Sequence, residues 1–171
     1  MLRAFEPEDL EVTYQMENDP GLWTVTNFTV PYSRFALRQY LTNAVSDLFT
    51  DRQVRLMIEL RSSGQAIGSV DLTNFSPMHA RGELGMAILN THRGKGLGGE
   101  ALELMCRYAF GYLHLHQLTT HVDAGNAACL SMLASCGFER CGLLRQWWRT
   151  PDGYRDVVLM QRLAEVNMKD K

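Results

Sequence analysis

Apolar positions recur along the chain with two different periods, and the switches between them outline its elements. Leu2 to Phe5 is a short strand candidate. Pro7 fits the first turn of a helix, where Glu6, Glu8 and Asp9 match the positive end of the dipole. Leu10 and Tyr14 fall at i and i+4 on that helix, and Asn18-Asp19-Pro20-Gly21 stops it. After an aromatic loop holding Trp23, Phe28 and Tyr32, Ser33 caps a second helix. Its Leu37, Tyr40, Leu41, Ala44, Val45 and Leu48 make one apolar face.

The pattern then changes to the strand period. Val54 to Leu60 reads as a strand, Ser62-Ser63-Gly64 as a hairpin turn, and Gln65 to Asn74 as the returning strand. Glu83 to Leu89 is another strand. A longer helix runs from about Gly98 to His114, with Leu97, Ala101, Leu104, Met105, Tyr108 and Tyr112 on its buried side. Leu118 to Val122 is a strand. Asn126 caps a helix with Leu130, Leu133 and Ala134 inward, and Gly137 ends it. Phe138 begins a strand, and Val157 to Leu163 is the last one. The order β-α-α-β-β-β-α-β-α-β-β implies an α/β fold with a mixed sheet and helices on both faces. A ligand belongs at the ends of the two strands separated by the Gly98 helix.

Composition narrows the function classes. With 171 residues, one domain spanning 1–171 is expected, long enough to bury a core without disulfides or metal. Apolar residues are 46% and charged residues 21%, and the net charge of -2 does not suit a general nucleic-acid binder. No apolar run reaches a membrane span and MLRAFEPEDLE lacks the apolar core of a signal peptide, so a cytosolic location is expected. Cys106, Cys129, Cys136 and Cys141 form no C-x-x-C pair and no zinc spacing with a histidine, so they read as free thiols. His114 and His116 read as a solvated helix end rather than a metal pair, and no metal is expected.

The sharpest feature is Arg93-Gly94-Lys95-Gly96-Leu97-Gly98-Gly99 between a strand and a helix. Glycines there let the backbone approach a ligand, free N–H groups at the helix start suit a phosphate or diphosphate, and two cations stand beside them. A flexible turn is the plainer reading. A P-loop fails because Gly96 and Leu97 follow Lys95. The dinucleotide fingerprint matches at Gly94, Gly96 and Gly99, with Asp123 at the end of the next strand. Against it, Asn90-Thr91-His92-Arg93 separates strand from glycines.

R-x-x-G-x-G at Arg93, Gly96 and Gly98 resembles the acetyl-CoA loop of the GNAT superfamily of N-acetyltransferases. The string GELGMAILNTHRGKGLGGEALELMCRYAF extends the resemblance, as do Asn126 with its helix and Gly137-Phe138. The opening LRAFEPEDLE, Asn18-Asp19, Pro31-Tyr32 and Gly153-Tyr154-Arg155-Asp156 look like the branch of ribosomal-protein N-terminal acetyltransferases and bacterial spermidine acetyltransferases. The resemblance implies a single N-acetyltransferase domain with a mostly antiparallel mixed sheet and a splayed central parallel strand pair. It also implies acetyl-CoA as co-substrate. Backbone groups of Met86, Ala87 and Ile88 are expected to bind the pantetheine arm. Amides from Arg93 through Gly94, Lys95, Gly96, Leu97 and Gly98 to Gly99 are expected to hold the diphosphate, with Asn126 near the sulfur.

The implied chemistry is deprotonation of an amine, its attack on the thioester, and loss of coenzyme A as a thiolate. A lysine-like amine has a pKa of about 10, so a base is needed. Glu83 is the first candidate and Asp71 on the preceding strand the second, while the Ile88 amide is the oxyanion donor. Many family members carry a tyrosine acid seven residues after the capping Asn; here that position is Leu133. Some place a serine three residues after it; here it is Cys129, a weaker donor and a remote candidate nucleophile. For the acceptor, residues 1–60 hold nine acids and five arginines, which mildly suits a cationic amine. Yet Asn27, Phe28, Thr29, Val30 and Ser33 around Pro31-Tyr32 lack the carboxylates of spermidine enzymes. Trp23, Phe28, Tyr32 and Trp148, with Trp147, are candidates to wall a pocket for a peptide or small amine. Packing or a subunit contact in a homo-oligomer is the competing use of the tryptophans. A polyamine acetyltransferase, a silent acyl-CoA-binding module and, more distantly, a nicotinamide-binding domain are the rivals. No nucleic-acid or membrane partner is expected.

Overall fold

The structure, a computed structural model, describes residues 1–22, 30–43 and 47–165. Its elements follow the expected order. They are β1 (Leu2–Arg3), a 3-10 turn (Pro7–Asp9), α1 (Leu10–Glu17), α2 (Arg34–Asn43), α3 (Leu48–Asp51), β2 (Val54–Glu59), β3 (Ala66–Ser76) and β4 (Arg81–Ile88). After these come α4 (Leu97–Arg107), a π turn (Tyr108–Tyr112), β5 (Gln117–Asp123), α5 (Ala127–Ser135), β6 (Glu139–Thr150) and β7 (Gly153–Leu163). One seven-stranded sheet runs β1-β2-β3-β4-β5-β7-β6. All neighbours are antiparallel except the central pair β4 and β5. Ile67, Gly68, Ser69 and Val70 are buried in succession on β3, so both faces of the sheet are covered there.

The main core joins one face of the sheet to α4 and α5. Val70, Leu72, Leu84, Ile88, Leu118 and Val122 pack with Ala101, Met105, Leu130 and Leu133. A smaller cluster of Leu10, Leu37 and Leu41 binds α1 to α2. Some expected positions shift. Tyr40 is exposed and Leu48 belongs to the separate α3, while Ala44 and Val45 lie outside the described residues. Tyr112 is exposed because α4 passes into the π turn, whose wider spacing rotates it off the core face; Leu102, Cys106 and Ala109 are buried instead. Ala134 faces solvent, leaving Leu130 and Leu133 as the buried stripe of α5.

The N-terminal acids do more than face a helix dipole. Arg3 donates to both Asp9 carboxylate oxygens at 2.6 and 2.8 Å, and to Glu59 at 2.5 Å. The Glu6 amide adds a bond to Asp9 at 2.9 Å. Burial alone would raise the Asp9 carboxyl, but the bonds from Arg3 and the Glu6 amide outweigh it and hold it below its ordinary 3.8. A lowered acid stabilises the fold above its unfolded value, and that gain disappears as pH falls through the lower folded value. Asp9→Asn is therefore expected to lose about 1–3 kcal/mol at neutral pH, the range for bonds to charged groups. Chemical denaturation at a series of pH values checks this, since the gap from wild type should close below about pH 4.

Candidate active site

The central parallel pair is short. Arg81, Gly82 and Glu83 pair with Gln117, Leu118 and Thr119, and there the pairing ends, although β4 continues to Ile88 and β5 to Asp123. Gly85 is consequently exposed in the middle of a central strand. Backbone direction alternates along an antiparallel edge. The Leu89 amide bonds the Ile67 carbonyl at 2.9 Å on β3, so the Ile88 and Met86 backbone groups face the opening toward β5. The Ile88 carbonyl confirms this direction, because it accepts from Arg93 Nε at 2.8 Å rather than from β3. Ala87 alternates the other way, and its carbonyl lies against Gly68 of β3. The expected backbone contribution therefore narrows from three residues to Met86 and Ile88.

Past β4, the glycine run turns into α4. Gly94 and Gly96 have φ of 73° and 79°, a backbone that side chains resist. Among the described residues, no backbone carbonyl accepts from the amides of Gly94 to Gly99, which sit at the start of α4. Gly98 is closely packed instead: a Cβ there would stand 3.0 Å from Met132 Sδ on α5. Lys95 Nζ turns back to the Thr91 carbonyl at 2.9 Å and Arg93 Nε to the Ile88 carbonyl, so both expected cations brace the loop. Across the opening, Asn126 caps α5, its side-chain oxygen accepting from the Cys129 amide at 3.0 Å and its NH2 group bonded to none of the described residues. Extended outward-facing backbone beside unpaired amides suits a long acyl thioester donor ending in a diphosphate. Gly96→Val, at a φ that β-branched residues strongly disfavour, is expected to raise the KM for acetyl-CoA at least tenfold. Steady-state kinetics check this, with near-native circular dichroism as the folding control.

The register also groups the polar residues. Glu83 lies opposite Thr73, and Asp71 opposite Gly85, so both candidate bases share one face with the exposed glycine between them. Glu83 is held at two points. One carboxylate oxygen lies 2.7 Å from His121 Nδ1 on β5, and the other accepts from Asn74 Nδ2 at 2.9 Å. Asn74 sits at the β3 irregularity with φ 50°, which aims its side chain across the strands. Asp71 is differently placed. Arg55 on β2 pairs with it at 2.6 Å and also pairs with Glu17 of α1. Burial pushes both of these carboxyls upward despite the guanidinium between them.

His121 escaped the sequence reading. The signal was present in the strand period: His121 is two residues beyond Thr119, the partner of Glu83, and so falls on the same face. The remaining candidates are dispersed. Cys129 is half-buried and its thiol is raised by burial, which disfavours the thiolate a nucleophile requires. Leu133 is buried in the core. Asn18 clamps the Tyr32 backbone from both sides, accepting from its amide at 2.9 Å and donating to its carbonyl at 3.1 Å. Trp148 lies opposite Arg155 in the β6–β7 hairpin, with β5 and β7 standing between its strand and β4. Trp23 and Phe28 lie outside the described residues. Among the described residues no helix is long and apolar enough to cross a membrane.

The chain is similar to known proteins in sequence and in fold. The family described as acetyltransferase (GNAT) domain matches residues 1–139. The spermidine N(1)-acetyltransferase of Escherichia coli K12 is 30% identical, the match covering 96% of this chain and 88% of that protein. An N-acetyltransferase of Bacillus licheniformis is 27% identical over 95% of this chain and 91% of its own length. The crystal structure of the Vibrio cholerae spermidine N-acetyltransferase in complex with CoA and spermine has a TM-score of 0.83 at 27% identity, over 95% of this chain and 94% of that one. With its splayed strand pair, glycine loop and capped α5, the chain belongs to the GNAT acetyltransferase family and is an acetyl-CoA-dependent N-acetyltransferase.

Proposed function

We propose that the enzyme moves acetyl directly onto a primary amine, a peptide N-terminus or a small amine, with both reactants held at the β4–β5 opening. Acetyl-CoA supplies an acyl group already activated as a thioester. The amides from Gly94 to Gly99 hold its diphosphate, the outward backbone of Met86 and Ile88 lines its arm, and the NH2 of Asn126 seats its far side. Glu83 takes a proton from the ammonium, directly or through one water, because only the neutral amine is a nucleophile. The Ile88 amide donates to the carbonyl oxygen as negative charge grows there. Leu133 supplies no proton, and a thiol of pKa about 8.5 departs as thiolate with little help, so water completes that step. Asp71 is committed to Arg55 and serves the structure.

The observation that carries this reading is the end of β4–β5 pairing at Glu83, which leaves a base on one side of an open strand and unpaired amides on the other. A second reading, a polyamine as acceptor, is favoured by relatives named spermidine acetyltransferases. Free-thiol release from acetyl-CoA tests both, with spermidine, small amines and short peptides as acceptors. Release that depends on an acceptor supports transfer, and the preferred acceptor class chooses between the readings. Tight acetyl-CoA binding with no release from any of them would favour a silent binding module.

A further inference from the structure

A cavity of about 670 Å3 opens beside Glu83, at the end of β4 away from the glycine loop. Among the described residues its lining carries three charged ones: Arg52 at the C-cap of α3, Arg81 at the start of β4, and Glu83. Neither arginine forms an ion pair or side-chain hydrogen bond with another described residue. Both oxygens of Glu83 are bonded to His121 and Asn74, and neither arginine pairs with its carboxylate. Asn74, Gln117 and Thr119 complete a polar wall. The charge on this lining is one positive in excess, which is the wrong sign for a polycation whose far ammonium would face two guanidinium groups.

The spacing favours the opposite kind of molecule. Arg81 and Glu83 share one face of β4, two residues or about 7 Å apart along the strand. An amine at Glu83 thus has a guanidinium within reach of a group roughly 6–8 Å from its nitrogen. Arginine binds carboxylates through paired N–H bonds. We infer that this cavity recognises the acceptor, and that the acceptor is an amine bearing a carboxylate about 7 Å from the reacting nitrogen, held by Arg52 and Arg81. A peptide N-terminus followed by an acidic residue has this form, as does an unbranched ω-amino acid. The inference rests on the acetyltransferase reading and names the acceptor class of that same site.

The test compares C-terminally amidated Ser-Asp-Ala, Ser-Asn-Ala and Ser-Lys-Ala with 6-aminohexanoate, its amide, and spermidine. Thiol release gives kcat/KM, and calorimetric titration of each acceptor into enzyme saturated with coenzyme A gives affinity without turnover. The expected result is a preference of about tenfold or more for each carboxylate over its amide, from one charge-assisted pair. Whether the peptide or the ω-amino acid leads decides between the two sources. In Arg52→Gln/Arg81→Gln the ratio of kcat/KM for Ser-Asp-Ala to that for Ser-Asn-Ala, and for 6-aminohexanoate to its amide, should fall to about one. Equal use of acid and amide, or spermidine ahead of every carboxylate in both assays, would overturn the inference and leave the acetyltransferase reading intact. If no acceptor is turned over, the titration ranking alone decides, and the same ranking supports or sinks the anion pocket.

Discussion

Glu83→Gln is expected to lower kcat by about 10²–10⁴-fold, the range for removing a general base, while the KM for acetyl-CoA changes little. The separation follows from position. Glu83 lies where the strands still pair, and the acyl donor is assigned to the unpaired stretch beyond it. Glutamine keeps the size and can still bond to Asn74, so a folding defect is not expected. Asp71→Asn is the contrasting variant. If Asp71 were the base, it would show the large kcat loss and Glu83→Gln would not. Steady-state kinetics of both, with circular dichroism as a control, distinguish the two carboxylates that the sequence alone left open.

Arg55→Ala is expected to be the most damaging change to stability. It removes the cation that pairs with both Glu17 and Asp71, on a surface where Glu17 is buried and Asp71 largely covered. Breaking a buried pair costs about 3–5 kcal/mol and an exposed pair under about 1, so this partly covered site should lose about 2–4 kcal/mol. Against a total of roughly 5–15 kcal/mol, that is a large fraction. The pH dependence has a definite sign. Both carboxyls are raised in the folded state, so the folded chain holds protons that the unfolded chain has already lost, and stability falls as pH rises above their ordinary values of 4.5 and 3.8. Without Arg55 the carboxyls rise further, and the variant should regain part of its deficit as pH is lowered from 7 toward 5. Denaturant titration across that range checks it. The triple change Glu17→Gln/Arg55→Met/Asp71→Asn should recover stability at every pH, because no charge is then left unpaired.

Element identity was legible wherever a local device decided it. Ser33 accepts from the Ala36 amide and Asn126 from the Cys129 amide, as their sequence positions suggested. The glycine loop was equally legible, because a positive φ at Gly94 and Gly96 is a local demand. What escaped the sequence depends on partners far apart in the chain. His121 meets Glu83 across 38 residues and Arg55 meets Glu17 across another 38; the strand period puts His121 on the right face, but only the pairing of distant strands and helices brings either pair together. The π turn escaped for a different reason: a one-residue change of helical period keeps the apolar composition while moving Tyr112 to the surface. Asp71 looked like a free strand carboxylate until the β2–β3 register set Arg55 directly opposite.

The most direct measurement is the initial-velocity pattern of thiol release when acetyl-CoA and an accepted amine are varied together, followed by intact mass of the enzyme after incubation with acetyl-CoA alone. Direct transfer at the β4–β5 opening predicts intersecting lines and an enzyme of unchanged mass. Parallel lines, with an acetyl group found on Cys129, would contradict it.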